Sequence, residues 1–301
     1  MRSPAPQRLT AEPLELPAAH HGEGPVWDAA ARRLLWVDLM AGRVLSWSPE
    51  EQSVDERRLG RAVGAVAPRA GGGLVAAVRE GFAVLDADGR ETLLAQPLAD
   101  SPELRMNDGG VDPQGRFWAG SMAYDGRRAA GALYRLDPAG ALEVVLRGVT
   151  VSNGIDWDPG GAWCYYVDSP ERRVDRFAFD AERGLLGERT ALVELGDVPG
   201  VPDGLTVDAD GCIWVAIWDG GQVRRHAPDG RLLAVVELPL DRPTSCAFGG
   251  DSLDRLFITT SRHGLADDQL SRQPLAGRLL CLDPGVSGKP STPFGGPPAK
   301  A

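Results

Sequence analysis

Short apolar segments recur along the whole chain, and each is closed by a turn. The segments either alternate apolar with polar positions or run for four to six apolar residues, and they are rich in Trp, Val, Ile and Tyr. Such patterns are typical of β-strands, because branched and aromatic side chains pack well on a pleated surface. The 38 glycines and 24 prolines are spread between the segments, which indicates many tight turns. No segment shows the apolar stripe of a helix, so the pattern predicts an all-β protein.

The segments fall into six repeats. Each opens with a small or polar residue and a glycine, continues with alternating apolar positions and a turn, and ends in an aromatic or aliphatic run. The repeats begin at Glu23, Val63, Asp108, Asn153, Asp203 and, in a degenerate form, Thr244. Four strands in each 40–50 residues are typical of a propeller blade. The sequence therefore predicts a six-bladed β-propeller around a central channel. The segment RLTAEPLEL, residues 8–16, is a candidate for the outer strand that closes the ring against the last blade.

The propeller is expected to be a single domain over residues 1–284. The remaining stretch, residues 285–301, reads GVSGKPSTPFGGPPAKA and is dominated by Gly, Pro and small polar residues. This composition predicts a disordered C-terminal tail. The D-x-x-G segments at Asp86, Asp112 and Asp208 resemble calcium loops superficially, but they lack the twelve-residue ligand spacing of an EF-hand. We interpret them as hairpin turns.

One position of the repeat carries candidate chemistry. The residue before the opening glycine is Glu23, Val63, Asp108, Asn153 and Asp203 in successive repeats. Equivalent positions of successive blades converge on the channel axis, so these side chains are expected at one mouth of the channel. Acids gathered there repel each other and lose hydration, and a divalent cation such as Ca²⁺ would compensate both effects. At a single position a solvent-facing turn residue is the simpler interpretation. Four polar residues in register favour a metal or ligand site.

Polar residues next to this position are candidates for binding a substrate. Arg105 and Asn107 approach the third inner strand, where they could hydrogen-bond sugar hydroxyls or a carbonyl oxygen. Asp125 lies in the loop from Tyr124 to Ala130, which interrupts the third blade, and is a further candidate. His20 and His21 precede Glu23 and are equally compatible with supporting or exposed positions.

Charge and cysteine content exclude several classes of protein. With 32 Lys and Arg against 42 Asp and Glu, the formal net charge is −10, which argues against a nucleic-acid binder. No apolar run has the length of about 18 residues that a membrane span needs, and the N-terminus lacks the apolar region of a secretory signal. A cytoplasmic location is therefore expected, with no membrane partner. The four cysteines are widely spaced and are interpreted as small buried apolar residues: Cys164, Cys212, Cys246 and Cys281.

At this point the chain resembles the SMP-30/gluconolactonase family. The resemblance is carried by four segments: GEGPVW (22–27), RMNDGGVDPQGRFWAGSM (105–122), SNGIDWDP (152–159) and PDGLTVDADG (202–211). A later segment, TTSRHGLADDQLSRQPLAGRL (259–279), is similar to the family's closing blade. The resemblance implies a six-bladed propeller with one divalent metal at the channel mouth, either Ca²⁺ or Zn²⁺, with Mg²⁺ or Mn²⁺ as further possibilities.

The family's functional residues carry over position by position. The resemblance implies Glu23, Asn153 and Asp203 as metal ligands, with Asp203 also as the general base. It implies Arg105 and Asn107 as substrate contacts and, in a variable loop, Asp125. Asp108 then becomes a supporting residue rather than a ligand. The implied activity is hydrolysis of sugar lactones to aldonic acids.

Other activities remain open on the same scaffold. Another propeller hydrolase, acting on phosphotriesters or aromatic lactones, would place more oxygen ligands around the metal, and Val63 weighs against it. A non-enzymatic calcium-binding regulator would need no complete set of substrate contacts. A quinone-dependent dehydrogenase is more remote, because no sequence feature indicates that cofactor. The sequence does not define the oligomeric state.

Overall fold

A computed structural model describes residues 5–295 and contains twenty-five strands, one short α-helix and one 3₁₀ helix (Ser169–Glu171) in that range. The first two strands are β1 (Gln7–Thr10) and β2 (Glu12–Pro13). The next strands, in chain order, are β3 (Gly22–Asp28), β4 (Arg33–Asp38), β5 (Arg43–Ser48), β6 (Ser53–Arg58), β7 (Val63–Pro68), β8 (Leu74–Val78), β9 (Gly81–Leu85), β10 (Glu91–Ala95), β11 (Leu104–Val111), β12 (Phe117–Ala123), β13 (Gly131–Leu136) and β14 (Leu142–Val149). The last elements are β15 (Ser152–Trp157), β16 (Trp163–Asp168), β17 (Arg173–Asp180), β18 (Leu185–Glu194), β19 (Val201–Val207), β20 (Ile213–Trp218), β21 (Gln222–His226), β22 (Leu232–Glu237), β23 (Pro243–Gly249), β24 (Arg255–Thr260), α1 (Asp267–Arg272) and β25 (Leu280–Leu282).

These strands form six antiparallel sheets, one for each predicted repeat. Strands β3–β6, β7–β10, β11–β14 and β15–β18 make the first four blades, and β19–β22 and β23–β25 form the last two. The first strand of each blade is the innermost, and it contacts the first strand of both neighbouring blades around the whole ring. The prediction of a six-bladed all-β propeller is confirmed.

The N-terminal segment closes the ring. Strand β2 pairs antiparallel with β25 and becomes the fourth strand of the last blade, with Glu12 opposite Cys281. Strand β1 runs parallel to β22 and adds a fifth strand to the fifth blade. The expected closure by residues 8–16 is therefore confirmed for β2, and β1 extends the contact to a second blade.

The hydrophobic core consists of six clusters, one between each pair of adjacent blades. Trp27 and Phe257, for example, stack between the first and last blades with ring centroids 6.4 Å apart. All four cysteines are buried and free, as expected. Because every blade buries both faces against its neighbours, the ring holds the inner strands in fixed positions around the axis.

The D-x-x-G segments are turns, as predicted. The Asp112 carboxylate accepts the backbone N–H groups of Gln114 (2.9 Å) and Arg116 (3.0 Å) with one oxygen, and the indole N–H of Trp118 (3.0 Å) with the other. Asp208 makes the same contacts with Asp210, Cys212 and Trp214 in the fifth blade. These acids stabilise the turn between the first two strands of a blade, so their oxygens are already occupied.

The C-terminal segment differs from its predicted disorder over residues 285–295; residues 296–301 lie outside the described part. The segment crosses the channel mouth opposite the candidate site. Lys289 Nζ lies 2.7 Å from the Asp156 carboxylate, and the Ser291 hydroxyl donates to the Trp27 carbonyl oxygen (2.8 Å). Phe294 is 6% exposed and packs between the second and third blades. Within the described residues, no helix is long and apolar enough to cross a membrane.

Candidate metal and substrate site

Each inner strand carries a β-bulge close to its N-terminal end. The strand pairing skips a residue near Glu23, Val63, Met106, Ser152, Pro202 and Pro243. A bulge inserts one extra residue and redirects the neighbouring side chains. In the first, third, fourth and fifth blades, side chains next to the bulge line the same mouth of the channel: Glu23, Asn107, Asn153 and Asp203.

We call the residue before the opening glycine of each repeat the shared position. The glycine that follows it lies very close to the inner strand of the next blade. A Cβ atom on Gly154 would lie 2.6 Å from the Leu205 nitrogen, and one on Gly204 would lie 2.2 Å from the Ser245 hydroxyl oxygen. Real Cβ contacts are longer than this, so the inner strands approach each other too closely for a side chain. In these repeats the glycine is thus a consequence of packing around the axis. In the first repeat Gly24 has a φ of +49°, which favours glycine through the backbone instead.

The strand registers correct the sequence alignment of the third repeat. Val111, Trp157 and Val207 are the last paired residues of their inner strands, and each directly precedes an aspartate of the turn. Counting four residues back from each gives Asn107, Asn153 and Asp203. In the first blade the pairing runs one residue further, to Asp28, and the same count from Trp27, which precedes that aspartate, gives Glu23. Asn107, rather than Asp108, therefore occupies the shared position, and Asp108 stands where the other blades have glycine.

The shared position opens into a cavity of about 430 Å³ at the channel mouth. The cavity is lined by His21, Glu23, Arg105, Asn107, Met122, Tyr124, Val151, Asn153, Ser169, Pro170, Val201, Asp203, Trp218 and His263. Its volume falls within the range of about 300–1,000 Å³ that is typical of small-ligand sites. The structure thus brings the three expected ligands and two of the three expected substrate contacts, Arg105 and Asn107, to one cavity.

Two carboxyl groups at this cavity are buried together. Burial raises the pKa of Glu23 well above its usual range, and the charges of Asp203 and Asp108 raise it further. Burial likewise raises the pKa of Asp203, with Asp108 adding to the effect and Arg105 opposing it. Buried carboxylates whose charges repel each other are destabilised as anions unless a cation compensates them.

A chain of hydrogen bonds fixes the amide of Asn153. The Asn107 amide donates to the Ser152 carbonyl oxygen (2.7 Å) and to Asn153 Oδ1 (2.8 Å), while Asn107 Oδ1 accepts from the Arg105 guanidinium. Asn153 Nδ2 in turn donates to the Ser169 hydroxyl (2.7 Å). These contacts assign Asn153 Oδ1 as an oxygen with one lone pair free for a further partner.

This donor set fits a hard divalent cation. Glu23 and Asp203 supply carboxylate oxygens and Asn153 supplies an amide oxygen, which are the ligands that Ca²⁺ and Mg²⁺ prefer. In residues 5–295 no three His, Cys, Asp or Glu side chains are grouped closely enough to hold a metal, so a set of three depends on the Asn153 amide.

Three expected residues take other positions. Asp108 faces the interior of the channel, where its carboxylate accepts the Gly109 N–H (2.7 Å) and burial raises its pKa to about 6. Val63 is buried and does not line the cavity. Asp125 is exposed, accepts the Arg127 N–H (3.1 Å) and does not line the cavity either. The preceding residue, Tyr124, lines it instead, with the Arg105 guanidinium 5.8 Å from its ring centroid.

Sequence reasoning missed the wall formed by Trp218 and His263. Trp218 ends β20, and His263 lies in the long connection between β24 and β25. His21, which was not assigned a role, is buried with its Nε2 3.8 Å from the Glu23 carboxylate, and burial lowers its pKa to about 3. A strand-end tryptophan and an isolated histidine carry no repeat signal, so neither stood out in the sequence.

The fold and the site define a class: a six-bladed propeller with a small cavity and buried oxygen donors at one channel mouth. A family model described as SMP-30/Gluconolactonase/LRE-like region matches residues 21–262. The chain therefore belongs to this family, as the sequence resemblance indicated.

Individual relatives cover nearly the whole chain. A 6-deoxy-6-sulfogluconolactonase of Pseudomonas putida is 39% identical over 280 residues, which cover 91% of this chain and 95% of that protein. Regucalcin of Oryctolagus cuniculus is 37% identical over 285 residues, covering 92% and 95%. Among solved structures, the calcium-binding protein regucalcin of Agrobacterium tumefaciens superimposes with a TM-score of 0.91 at 28% identity, covering 97% of this chain and 99% of that one.

Proposed function

We propose that the protein is a metal-dependent sugar lactonase that opens cyclic sugar esters to aldonic acids. The observation that carries this proposal is the cavity itself, in which buried oxygen donors lie beside a buried arginine. The sulfogluconolactonase among its relatives supports the same reaction type.

Glu23, Asn153 and Asp203 would hold the divalent cation, which could be Ca²⁺, Zn²⁺, Mg²⁺ or Mn²⁺. When bound, such a cation polarises a lactone carbonyl and stabilises the negative charge that develops on its oxygen. The carboxylates of Glu23 and Asp203 would at the same time lose the repulsion that destabilises them when both are charged.

Asp203 is the proposed general base. It accepts a proton from a water molecule while the water oxygen bonds to the carbonyl carbon. The bond from that carbon to the ring oxygen then breaks, and the ring oxygen leaves as a hydroxyl group by taking the proton that Asp203 had accepted. The product is an open hydroxy acid, and no covalent intermediate with the protein forms.

Arg105 and Asn107 would orient the lactone. The Arg105 guanidinium lines the cavity and keeps donors available for ring hydroxyls. Asn107 uses both amide hydrogens on protein oxygens, so only Oδ1 is left to accept a hydrogen bond from a substrate. Their contribution is positioning rather than chemistry.

Hydrolysis of D-glucono-1,5-lactone, followed by proton release in weak buffer, tests the proposal. The assay compares chelated protein, protein with each divalent ion restored, and Asp203→Ala with its ion. We expect turnover that needs the ion and falls at least about 10³-fold in the variant, since base and ligand are lost together. Asp197→Ala removes an exposed acid six residues upstream and serves as the control. No turnover with any ion across a panel of aldonolactones would contradict the proposal.

The same assay separates the alternatives. Metal-dependent hydrolysis of a phosphotriester or an aromatic lactone, without turnover of sugar lactones, would favour another propeller hydrolase. Ion binding without any hydrolysis would favour a calcium-binding regulator. The cytoplasmic location and the absence of nucleic-acid and membrane partners stay predictions from the sequence.

A further inference from the structure

Four aromatic and imidazole rings form a continuous wall on one side of the cavity. The ring centroids of His20 and His263 lie 5.2 Å apart, those of His263 and His21 5.4 Å, and those of His21 and Trp218 5.6 Å. Arg242 supports the outer end of this four-ring wall, with its guanidinium 4.9 Å from the Trp218 centroid. Among these rings, His21, Trp218 and His263 line the cavity itself.

His263 is exposed at the rim, yet the protein holds it at several points. Its backbone N–H donates to the Ser261 hydroxyl (3.0 Å), and its carbonyl oxygen accepts from the Arg242 guanidinium. Its ring Nδ1 lies 3.1 Å from His20 Nε2, at hydrogen-bond distance. An exposed histidine normally keeps its rotational freedom, so the fixed ring of His263 is preorganised for a contact.

The backbone of His20 is also held in place, by the carboxylate of Asp38. The Asp38 carboxylate accepts the backbone N–H groups of His20 (2.8 Å) and His21 (3.0 Å). The same carboxylate forms an ion pair with Arg43. Asp38 therefore holds the backbone of His20 and does not contact its ring. The imidazole pair therefore uses Nδ1 of His263 for the contact with His20 and leaves Nε2 of His263 available to a ligand.

The opposite side of the cavity already has its own polar groups. Arg105, beside Tyr124, belongs to the third blade, and the oxygen donors Glu23, Asn153 and Asp203 belong to the inner strands. A cyclic ester with its carbonyl at the oxygen donors and its ring hydroxyls at Arg105 leaves one part of the molecule to face the four-ring wall. For a six-membered sugar lactone that part is the exocyclic carbon with its polar substituent.

We infer that the four-ring wall is a second substrate-binding surface, in which His263 hydrogen-bonds the exocyclic polar group of the lactone and His20 orients His263. Trp218 offers its apolar face to the carbon atoms of the ring. This inference rests on the proposed lactonase function and names the residues that select among lactones.

Two lactones that differ only at the exocyclic carbon test the inference on the metal-loaded protein. D-Glucono-1,5-lactone carries a hydroxymethyl group there, and D-xylono-1,5-lactone carries hydrogen. In His263→Ala we expect kcat/KM for the first lactone to fall about tenfold, the loss typical of one hydrogen bond, and kcat/KM for the second to stay unchanged. The preference between the two lactones therefore falls about tenfold. Arg262→Ala, an exposed neighbour that does not line the cavity, should leave the preference unchanged.

A double-variant comparison tests the role of His20 as a positioning residue. His20→Ala should lower the same preference by a smaller factor, and the double variant with His263→Ala should be no worse than His263→Ala alone, because His20 acts through His263. A purely structural role would lower kcat/KM for both lactones alike. Equal losses on both lactones, or an unchanged preference in His263→Ala, would overturn the inference while leaving the lactonase function intact. Absence of turnover of either lactone by the unchanged protein would overturn the lactonase function, and this inference with it.

Discussion

Asn107 is the residue that joins the two halves of the site. Its amide hydrogens hold Asn153 Oδ1 and the Ser152 carbonyl, and its oxygen accepts from Arg105, so one side chain positions both a candidate ligand and a candidate substrate contact. Residues that orient metal ligands without touching the metal matter nearly as much as the ligands. Mutating one typically lowers metal affinity or activity about 10–100-fold.

Replacing Asn107 tests this dependence. In Asn107→Ala the Asn153 amide loses its donor and gains rotational freedom, so we expect divalent-ion affinity to fall about 10–100-fold. Isothermal titration of chelated protein measures the effect. Gln114→Ala removes an exposed amide on the opposite face and is the control. An affinity equal to that of the unchanged protein would show that Ser169 alone orients Asn153.

His226 makes stability depend on pH far from the site. It is buried in β21, its Nδ1 lies 3.0 Å from the Gly230 carbonyl oxygen, and burial lowers its pKa to about 4, below the 6.5 that is usual for histidine. The unfolded chain therefore binds a proton at a higher pH than the folded protein does. The stabilisation is present above pH 6.5 and is lost as the pH falls towards 4.

The free energy of unfolding is expected to fall by roughly 3–4 kcal/mol, because each tenfold change in the proton affinity of His226 corresponds to about 1.4 kcal/mol. Urea unfolding at several pH values between 7 and 4 measures it in the unchanged protein and in His226→Leu. The free energy of unfolding should fall more steeply with acid in the unchanged protein than in the variant. Parallel curves would contradict the assignment.

At the scale of strands, the bulges explain which part of the site the sequence could predict. The glycine that marks each repeat directed attention to Glu23, Asn153 and Asp203, which line one cavity in the structure. It follows the shared position because of close strand packing at Gly154 and Gly204 and because of a positive φ at Gly24. In the third blade Asp108 replaces that glycine and Gly109 follows one residue later. An alignment on glycine was therefore one residue out of register there, and strand pairing was needed to place Asn107.

Close approach of the inner strands also gives a stability prediction. Gly154→Ala places a methyl group 2.6 Å from the Leu205 nitrogen and 2.9 Å from the Asp203 carbonyl oxygen. We expect a loss of about 1–3 kcal/mol in the free energy of unfolding, as for other overpacked sites. Urea unfolding measures it against Gly196→Ala, where no atom lies within 4 Å of the added group. Equal stability of the two variants would mean that the inner strands can separate without cost.

The C-terminal segment shows that amino-acid composition alone does not predict disorder reliably. Residues 285–295 are rich in Gly and Pro, and such composition is common in disordered chains. Here Phe294 inserts between two blades. Its backbone N–H donates to the Pro68 carbonyl oxygen, and its carbonyl oxygen accepts the backbone N–H of Ala70. One aromatic residue and a few long-range contacts order the segment, and neither is visible in a local pattern.

At the scale of the whole molecule, the repeat number and the ring were predictable because each blade repeats the same local signals. The cavity wall was not, since Tyr124, Trp218 and His263 come from connections that differ from blade to blade. Repetition encodes the scaffold, whereas the residues expected to select a substrate lie in the segments that break the repetition.

Closure of the ring can be tested with a cross-link. Glu12 of β2 lies directly opposite Cys281 of β25, at a separation of the paired chains that suits a disulfide. Under oxidising conditions Glu12→Cys should form this bond and stabilise the protein by about 3 kcal/mol or more, because it closes a very long loop. Thermal unfolding with and without reductant measures the gain, and Glu15→Cys is the control. A melting temperature that does not respond to reductant, despite a formed bond, would mean that β2 adds little to closure.

The last blade combines a strand from the N-terminal segment with three strands from the C-terminal part of the chain. This arrangement has a consequence for folding during synthesis. Strand β2 leaves the ribosome before its partner β25, which follows 268 residues later, counted from Glu12 to Leu280. At about 5–20 residues per second this interval is roughly 15–50 s. During that time β2 lacks its partner strand, and β1 lacks its own partner until β22 has been made. Unpaired strand edges are potential templates for aggregation. The charged and polar residues of β1 and β2, including Arg8 and Glu12, favour a segment that stays solvent-exposed until its partner strand has been made.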